Sequence, residues 1–357
     1  MIMSPQPQFA LLSHKTRNIG DDIQSVAASR FLPRVDQFVE RDLLASYAPE
    51  QATKLICHGW FGTKPQNFGF GPGVDPLLLS MHISERSNFD KGGDAVAFAT
   101  VLRSVPELKA ELSRFGPVGA RDLATLRLLR ELGIEGYYSG CLTLTLERDP
   151  LLQRGGEIVA CDVPDEIFAR LREISNGPIR IIRHAIEPSH DERQRLAEAE
   201  RLLGIYQTAA LVVTTRLHCA LPCVAYGTPV LFLVHDFEAE RFDGLLDLMQ
   251  TVALREAGNL RRENLKVSLE QQQAHHDLRH QLIARVTTFI AKQSDVIGRP
   301  GDLARTSRAL TTYYERQASG LRDQLAEVRT ELAALQQSRS WRVTSPLRAV
   351  RRWLDRT

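Results

Sequence analysis

Short apolar runs alternate along most of this chain with amphipathic or small-residue stretches, and that alternation predicts parallel strands joined by helices. Residues 9–13 read as a first strand, 18–22 as a turn and 23–32 as a helix. A strand ending at 55–57 runs into a glycine- and aromatic-rich loop at 58–62, and 77–83 is another strand. Strand, turn and helix recur over 115–132, and 137–146 alternates like a strand. From residue 156 the pattern restarts: strands at 157–161, 179–184, 211–215 and 230–234, and helices at 165–174, 191–204, 219–226 and 237–249. A polar helix is expected over 271–292.

The expected fold class is therefore α/β, with two Rossmann-like doubly wound domains facing across a cleft at the carboxyl ends of their strands. The domains span 1–153 and 154–295. Beyond Pro300 the pattern changes to a heptad seam. Tyr314, Ala318, Leu321, Leu325, Val328, Leu332 and Leu335 recur at alternating spacings of four and three, predicting a coiled coil within 296–338. So narrow a seam pairs with another copy or packs back on the body, and Gly320 weakens it. The last stretch, 339–357, carries six arginines against one acid, Asp355, with Trp341 and Trp353 beside an apolar helical face. Such a basic amphipathic segment suits a membrane surface, and a solvated basic tail has the same composition.

Composition narrows the picture only a little. The chain has 357 residues, 43% hydrophobic and 25% charged, with net charge +2, which carries no nucleic-acid signature. Five cysteines, at 57, 141, 161, 219 and 223, form no CxxC or zinc spacing and read as buried thiols in a reducing compartment. The first nine residues lack the basic and apolar regions of a signal peptide. The apolar stretch 217–234 contains His218, Pro222, Gly227 and Pro229, so it parses as helix then strand rather than as a membrane span. The expected location is cytoplasmic, peripheral to the inner face of the membrane. His276 and His280 are spaced i, i+4, yet with His275 they lie in a polar run that reads as a solvated face.

Chemistry concentrates at the junction between 211–215 and the following helix. Arg216 and His218 interrupt an apolar run there. A helix start offers unpaired N–H groups, Arg adds a charged fork matched to phosphate or carboxylate, and His exchanges a proton near neutral pH. Such residues also cap or pack, but charge among buried neighbours is costly without a partner or a purpose. Further candidates are Asn18, Gly20, Asp21 and Asp22 in the first turn, His58 and Trp60 in the glycine-rich loop, and Arg121 at a helix entry. Capping accounts equally for Asp21, core pinning for Trp60, and a surface ion pair with Asp122 for Arg121. GFGPG at 69–73 follows no clear strand and is not a dinucleotide fingerprint, and no P-loop is present.

Taken in order, Asn18–Ile19–Gly20–Asp21, the Arg121–Asp122 element, 137–146 and 211–234 resemble the polysaccharide pyruvyltransferase family over about residues 9–250. His58 departs from the polar residue many relatives have there. The basic tail after a heptad seam is similar to endings on bacterial surface-polysaccharide glycosyltransferases. The resemblance implies two facing domains of the GT-B kind and transfer from phosphoenolpyruvate to a sugar of a lipid-linked surface-polysaccharide precursor, giving a cyclic pyruvate ketal and phosphate. Phosphoenolpyruvate is a substrate, and the reaction requires no cofactor or metal. In that reading Arg121, Arg216 and His218 bind phosphoenolpyruvate and His218 donates the proton. Asp21, Asp22 or His58 accepts a hydroxyl proton, with Asp21 placed among the catalytic residues. Asn18, Gly20, Asp22, His58 and Trp60 face the acceptor. A nucleotide-sugar glycosyltransferase and a non-catalytic assembly subunit are the competing readings.

Overall fold

The computed structural model describes residues 6–62, 64–86, 96–235, 241–294 and 300–338. Its first sheet has six parallel strands: β1 (Gln8–Ser13), β2 (Gln37–Glu40), β3 (Thr53–Phe61), β4 (Val74–Ile83), β5 (Val118–Ala120) and β6 (Gly136–Tyr138). Their order is β2-β1-β3-β4-β5-β6. The second sheet has five parallel strands: β7 (Ile158–Cys161), β8 (Ile179–Ile182), β9 (Leu211–Thr214), β10 (Val230–Val234) and β11 (Gln250–Ala253). They lie in the order β11-β10-β9-β7-β8. Read from β8, this is the order of the first five strands of the other sheet. Each sheet therefore reverses direction once, between β1 and β3 and between β7 and β9. Ligands bind at such switch points, outside the carboxyl ends of the strands. The fold class is the expected one: two doubly wound α/β sheets of the GT-B-like kind, with a C-terminal helix.

Helices α1 (Gly20–Ser29), α2 (Phe98–Ser104), α3 (Pro106–Arg114) and α4 (Leu123–Glu131) belong to the first sheet. Helices α5 (Asp165–Ile174), α6 (Glu192–Thr208) and α7 (Leu217–Tyr226) connect the second, and α8 (Glu270–Gln273), α9 (His276–Ala291) and α10 (Pro300–Gln337) follow. The chain divides into two compact units after Ser307, and both sheets lie in the first.

The two sheets share one core, and α1 is its centre. Ile19, Ile23, Val26 and Ala27 pack with Leu142 and Leu144, with Ala199 and Leu202 of α6, and with Leu217, Ala220 and Leu221 of α7. Backbone bonds join the sheets at the same place. Ile19 N donates to His184 O at 3.4 Å and Ile186 N donates to Arg17 O at 2.9 Å. Beneath them Arg195 of α6 grips Asp22 of α1 with two nitrogens, at 3.0 and 2.7 Å, and donates to Thr16 O at 2.8 Å. Both members are buried, so each depends on the other for its charge, while Arg195 Nη1 is left without a hydrogen bond.

Four local expectations are corrected. The strand expected to end at Cys57 continues to Phe61, so His58 and Trp60 lie in β3 and not in a loop. The register with β4 shifts between Cys57 and Gly59: His58 faces both Leu79 and Ser80, a bulge on β4 in which Ser80 is left-handed at φ +56°, and Gly59 at φ +106° resumes the pairing. The run 137–146 is strand only to Tyr138. Gly140 turns it left-handed at φ +66°, and a single tight turn follows at Leu142–Thr145. Of the helix expected over 237–249, the described part (241–249) is broken into tight turns, at 241–242 and at Leu246–Leu248, before β11. Gly244 is left-handed there, at φ +82°. The segment is tied to the first sheet, with Tyr138 Oη donating to Gly244 O at 2.6 Å and Leu123 N to Asp243 O at 3.0 Å. The polar helix breaks between α8 and α9, where His275 is buried as an N-cap residue and not part of a solvated face. His276 and His280 are exposed.

All five cysteines are free and buried. No helix among the described residues is long and apolar enough to cross a membrane. The basic tail, 339–357, lies outside the described residues. The heptad seam lies on α10, a continuous helix of 38 residues.

Candidate functional site

Both switch points carry the residues singled out by the sequence. After β1 the chain turns through Asn18 into α1, and Asn18 Oδ1 accepts from Gly20 N at 3.1 Å. After β9 it enters α7 with Arg216 as the N-cap residue, and Arg216 N donates to Thr214 Oγ1 at 2.9 Å. His218, in the first turn of α7, lies against the first turn of α1. A Cβ on Gly20 would stand 2.9 Å from His218 Nδ1 and 3.2 Å from Asn18 Oδ1. The glycine is thus the seat of the imidazole, and Asn18 shapes that seat.

His218 is buried, and its Nε2 has no hydrogen-bond partner. Burial pushes its pKa down to about 3, with Arg121 acting in the same direction and Asp21 against it. Arg121 follows β5, and its N–H donates to Met81 O at 2.8 Å. Its side chain is fully buried, which replaces the expected surface ion pair. Nε lies 3.4 Å from Asp122 Oδ2, and neither Nε nor Nη2 makes a hydrogen bond. A permanent cation with two unmet donors in a dry site is costly, and a bidentate anion is the group that would satisfy it.

Arg216 differs. Its side chain is half-exposed and its Nε donates to Asp162 Oδ2 at 2.6 Å. Asp162 ends β7 in a left-handed conformation, φ +49°, and so presents its carboxylate from the other side of the second switch point.

The acidic pair on α1 is committed to cations. Asp21 Oδ2 accepts from Arg41 Nη1 at 2.9 Å. Burial resists its ionisation, but Arg41, His14 and His218 outweigh that and hold the carboxyl well below its usual range. Asp22 is the partner of Arg195 described above. His58 is fully buried with neither ring nitrogen bonded, and burial lowers it to about 4. Its ring centroid lies 6.3 Å from that of His14. Trp60 is half-buried, with its indole over Gly62. The structure therefore unites His218, Gly20, Asn18, Asp21 and Arg121, and puts Asp22 and His58 in the interior.

Three residues at this site escaped the sequence reading, His14, Arg41 and His82, and Asp122 was read only as a partner of Arg121. His82 stands one residue before the end of β4 and is buried, with Nδ1 2.6 Å from Asp122 Oδ2. Asp122 also caps α4, accepting from Thr125 N at 2.9 Å. Polar residues closing an apolar strand were the available signal, because such ends face the ligand crevice. One group among the described residues, Cys161, His184 and Cys219, has its donor atoms within 4.8 Å of one another. All three are buried, burial raises both thiols, and His184 Nε2 is bonded to Tyr206 Oη.

Two switch points joined through α1, with an unbonded guanidinium edge beside an unbonded imidazole nitrogen, define the candidate site of this α/β protein. The chain belongs to the polysaccharide pyruvyl transferase family, whose model matches residues 18–236. No curated protein matches it. Among solved structures it is similar to an uncharacterized protein of Klebsiella pneumoniae, at 12% identity and TM-score 0.42, covering 70% of this chain and 93% of that one. It is similar also to S. aureus MnaA solved with UDP, at 9% identity and TM-score 0.40, covering 87% and 97%.

Proposed function

We propose that the protein transfers the pyruvyl group of phosphoenolpyruvate to two hydroxyls of a sugar in a lipid-linked surface-polysaccharide precursor, forming a cyclic ketal and releasing phosphate. The observation that carries this reading is Arg121, buried with Nε and Nη2 unbonded beside His218, whose Nε2 is also unbonded. The donor brings a phosphate and a carboxylate, which Arg121 and the Arg216 junction of α7 suit. His218 is the proton donor to the methylene carbon. Protonation there creates positive character at the central carbon, where a sugar hydroxyl attacks. A second hydroxyl then displaces phosphate. A dianionic phosphate near His218 favours its imidazolium against the burial that opposes it.

The protein works at the inner face of the cytoplasmic membrane in this reading, with 339–357 against the lipid surface and α10 paired with a second copy. The test is acceptor-dependent phosphate release from phosphoenolpyruvate, with a panel of lipid-linked oligosaccharides, for the wild type and His218→Ala. Release by the wild type, lost in the variant, is expected. No release with any acceptor, together with nucleotide-sugar binding by calorimetry, would replace this reading with a glycosyltransferase.

A further inference from the structure

The reaction read above needs a group to take the acceptor's hydroxyl proton, and the candidates from the sequence are poorly suited to it. Asp21 is bound to Arg41 and held far down as a carboxylate, so it is a weak base. Burial raises the Asp22 carboxyl to about 6, but both of its oxygens are held by two nitrogens of Arg195. His58 is sealed inside β3.

His82 has the geometry they lack. Its Nδ1 lies 2.6 Å from Asp122 Oδ2 and 3.5 Å from Thr125 Oγ1. Asp122 cannot swing away, because its Oδ1 accepts from both Thr125 N and Thr125 Oγ1 at 2.9 Å. A carboxylate fixed on Nδ1 demands the proton there and leaves the lone pair on Nε2. Asp122 is also the residue after Arg121, and Arg121 is bonded through its backbone to Met81, the residue before His82. The dyad and the unmet guanidinium thus share the carboxyl ends of two adjacent strands.

We propose that His82, oriented by Asp122, is the general base that takes the proton of the attacking sugar hydroxyl. The proposal rests on the reaction given above. As the hydroxyl oxygen bonds to the central carbon, its proton passes to His82 Nε2, while the methylene carbon takes one from His218. The bond from the central carbon to the phosphate oxygen then breaks, and the departing phosphate takes the proton from His82. The second hydroxyl adds, and its proton restores His218. One hydroxyl proton thus ends on phosphate, and the other replaces the one now in the methyl group. Asp122 is a positioning residue and touches no substrate.

The charged and polar groups facing His82 are Asp122, Thr125, Arg121 and Arg241. Burial dominates and lowers its pKa to about 4, Asp122 opposes that, and the two guanidiniums add to it. The free protein therefore holds His82 neutral at working pH, as a base must be, and a bound phosphate dianion strengthens it.

The experiment compares wild type, His82→Gln, His82→Ala and Asp122→Asn as full-length chains, with phosphoenolpyruvate affinity by calorimetry and turnover by phosphate release. Loss of a general base costs about 100-fold or more in kcat, and His82→Gln is expected to show that loss with donor affinity kept. Imidazole in the buffer is expected to restore turnover to His82→Ala in proportion to its neutral fraction, which a merely structural role would not produce. A kcat for His82→Gln within about threefold of wild type, well below the usual general-base effect, overturns the proposal. A loss confined to donor affinity also overturns it. If the wild type releases no phosphate, the reaction class fails and the dyad is judged separately by nitrogen-15 NMR of the unliganded protein. A proton on Nδ1 with a bare Nε2 supports it, and a proton on Nε2 overturns it.

Discussion

His218 rests on Gly20: a Cβ at that glycine would stand 2.9 Å from His218 Nδ1 and 3.1 Å from its Cβ. The contact explains why a glycine and a histidine almost two hundred residues apart belong to one site. Overpacking of this kind costs about 1–3 kcal/mol when neither side can yield, and α7 is buried along most of its length. Gly20→Ala is therefore expected to fold, with a modestly lower melting temperature, while acceptor-dependent phosphate release falls by at least about tenfold, as about 1.4 kcal/mol in the transition state requires. Unchanged turnover in a folded variant would show that the seat does not position the imidazole.

Arg121 carries a charge that the described structure does not satisfy at Nε or Nη2. Asp122 balances that charge, with Oδ2 3.4 Å from Nε, and removing one member of a buried pair costs roughly 3–5 kcal/mol. Asp122 would keep His82 and Thr125 as partners. Arg121→Met is therefore expected to melt lower than the wild type without ligand, by less than a full one-sided loss because of those partners, and to lose all protection by phosphoenolpyruvate. A ligand at 100 times its Kd stabilises by about 2.7 kcal/mol, so thermal melts with and without the donor read the difference directly. Full protection of the variant would remove Arg121 from the donor site.

Asp22 and Arg195 differ in that two short bonds join them and tie α1 to α6. Breaking a buried pair from one side costs roughly 3–5 kcal/mol, while removing both members can be neutral. Asp22→Leu and Arg195→Met should each lower the urea midpoint strongly, and the double variant should recover most of the loss. Additive losses would mean that the two charges are not each other's support.

Acid should destabilise the fold through histidines held neutral. His58 and His82 are both lowered by burial, from 6.5 to about 4. Above pH 6.5 each is neutral folded and unfolded, so neither affects stability there. As pH falls from 6.5 towards 4, the unfolded chain binds a proton that the folded chain refuses, and stability is lost. The loss approaches about 1.4 kcal/mol per pH unit for each histidine within that window. His58→Phe should flatten the fall in urea midpoint between pH 7 and 4.5 by about one histidine's share, with His82, His218 and His14 still contributing and Asp22, raised to about 6 by burial, opposing them. A wild type equally stable at both pH values would show that these imidazoles are not buried neutral.

The Arg216–His218 junction was legible because hydrophobic pattern and breakers agree there: a four-residue strand, a small-residue helix, then Gly227 as a left-handed cap at φ +62°. The two parallel sheets were legible for the same reason. What hid was whatever depended on distant neighbours. Gly59 reads as a loop residue, but a bulge on β4 lets the strand run on and buries His58. The segment after residue 240 has a helical pattern, yet Tyr138 and Leu123 bind its backbone and leave only tight turns. Edge strands β2 and β11 are four residues each, too short and too polar to announce themselves. His82 lay in plain sight within an apolar strand, and only its partner Asp122, forty residues away, gives it meaning.

The seam on α10 supplies a last prediction, because it separates enzyme from assembly subunit. Leu321, Leu325, Val328, Leu332 and Leu335 are between 47% and 61% exposed, at alternating spacings of three and four residues. A stripe this regular and this narrow suits the interface of a two-stranded coil, and pairing with a second copy would bury all five. The full chain should therefore sediment as a dimer, and Leu325→Glu with Leu332→Glu should make it a monomer. Gly320, in mid-helix, costs about 1 kcal/mol relative to Ala, so Gly320→Ala should tighten the dimer instead. A wild type that is monomeric at all concentrations would sink the pairing. The monomeric variant keeps every residue of the Arg121–His218 site, so it should retain acceptor-dependent phosphate release. Its inactivity, in a variant whose body melts normally, would favour a protein that works through its coil.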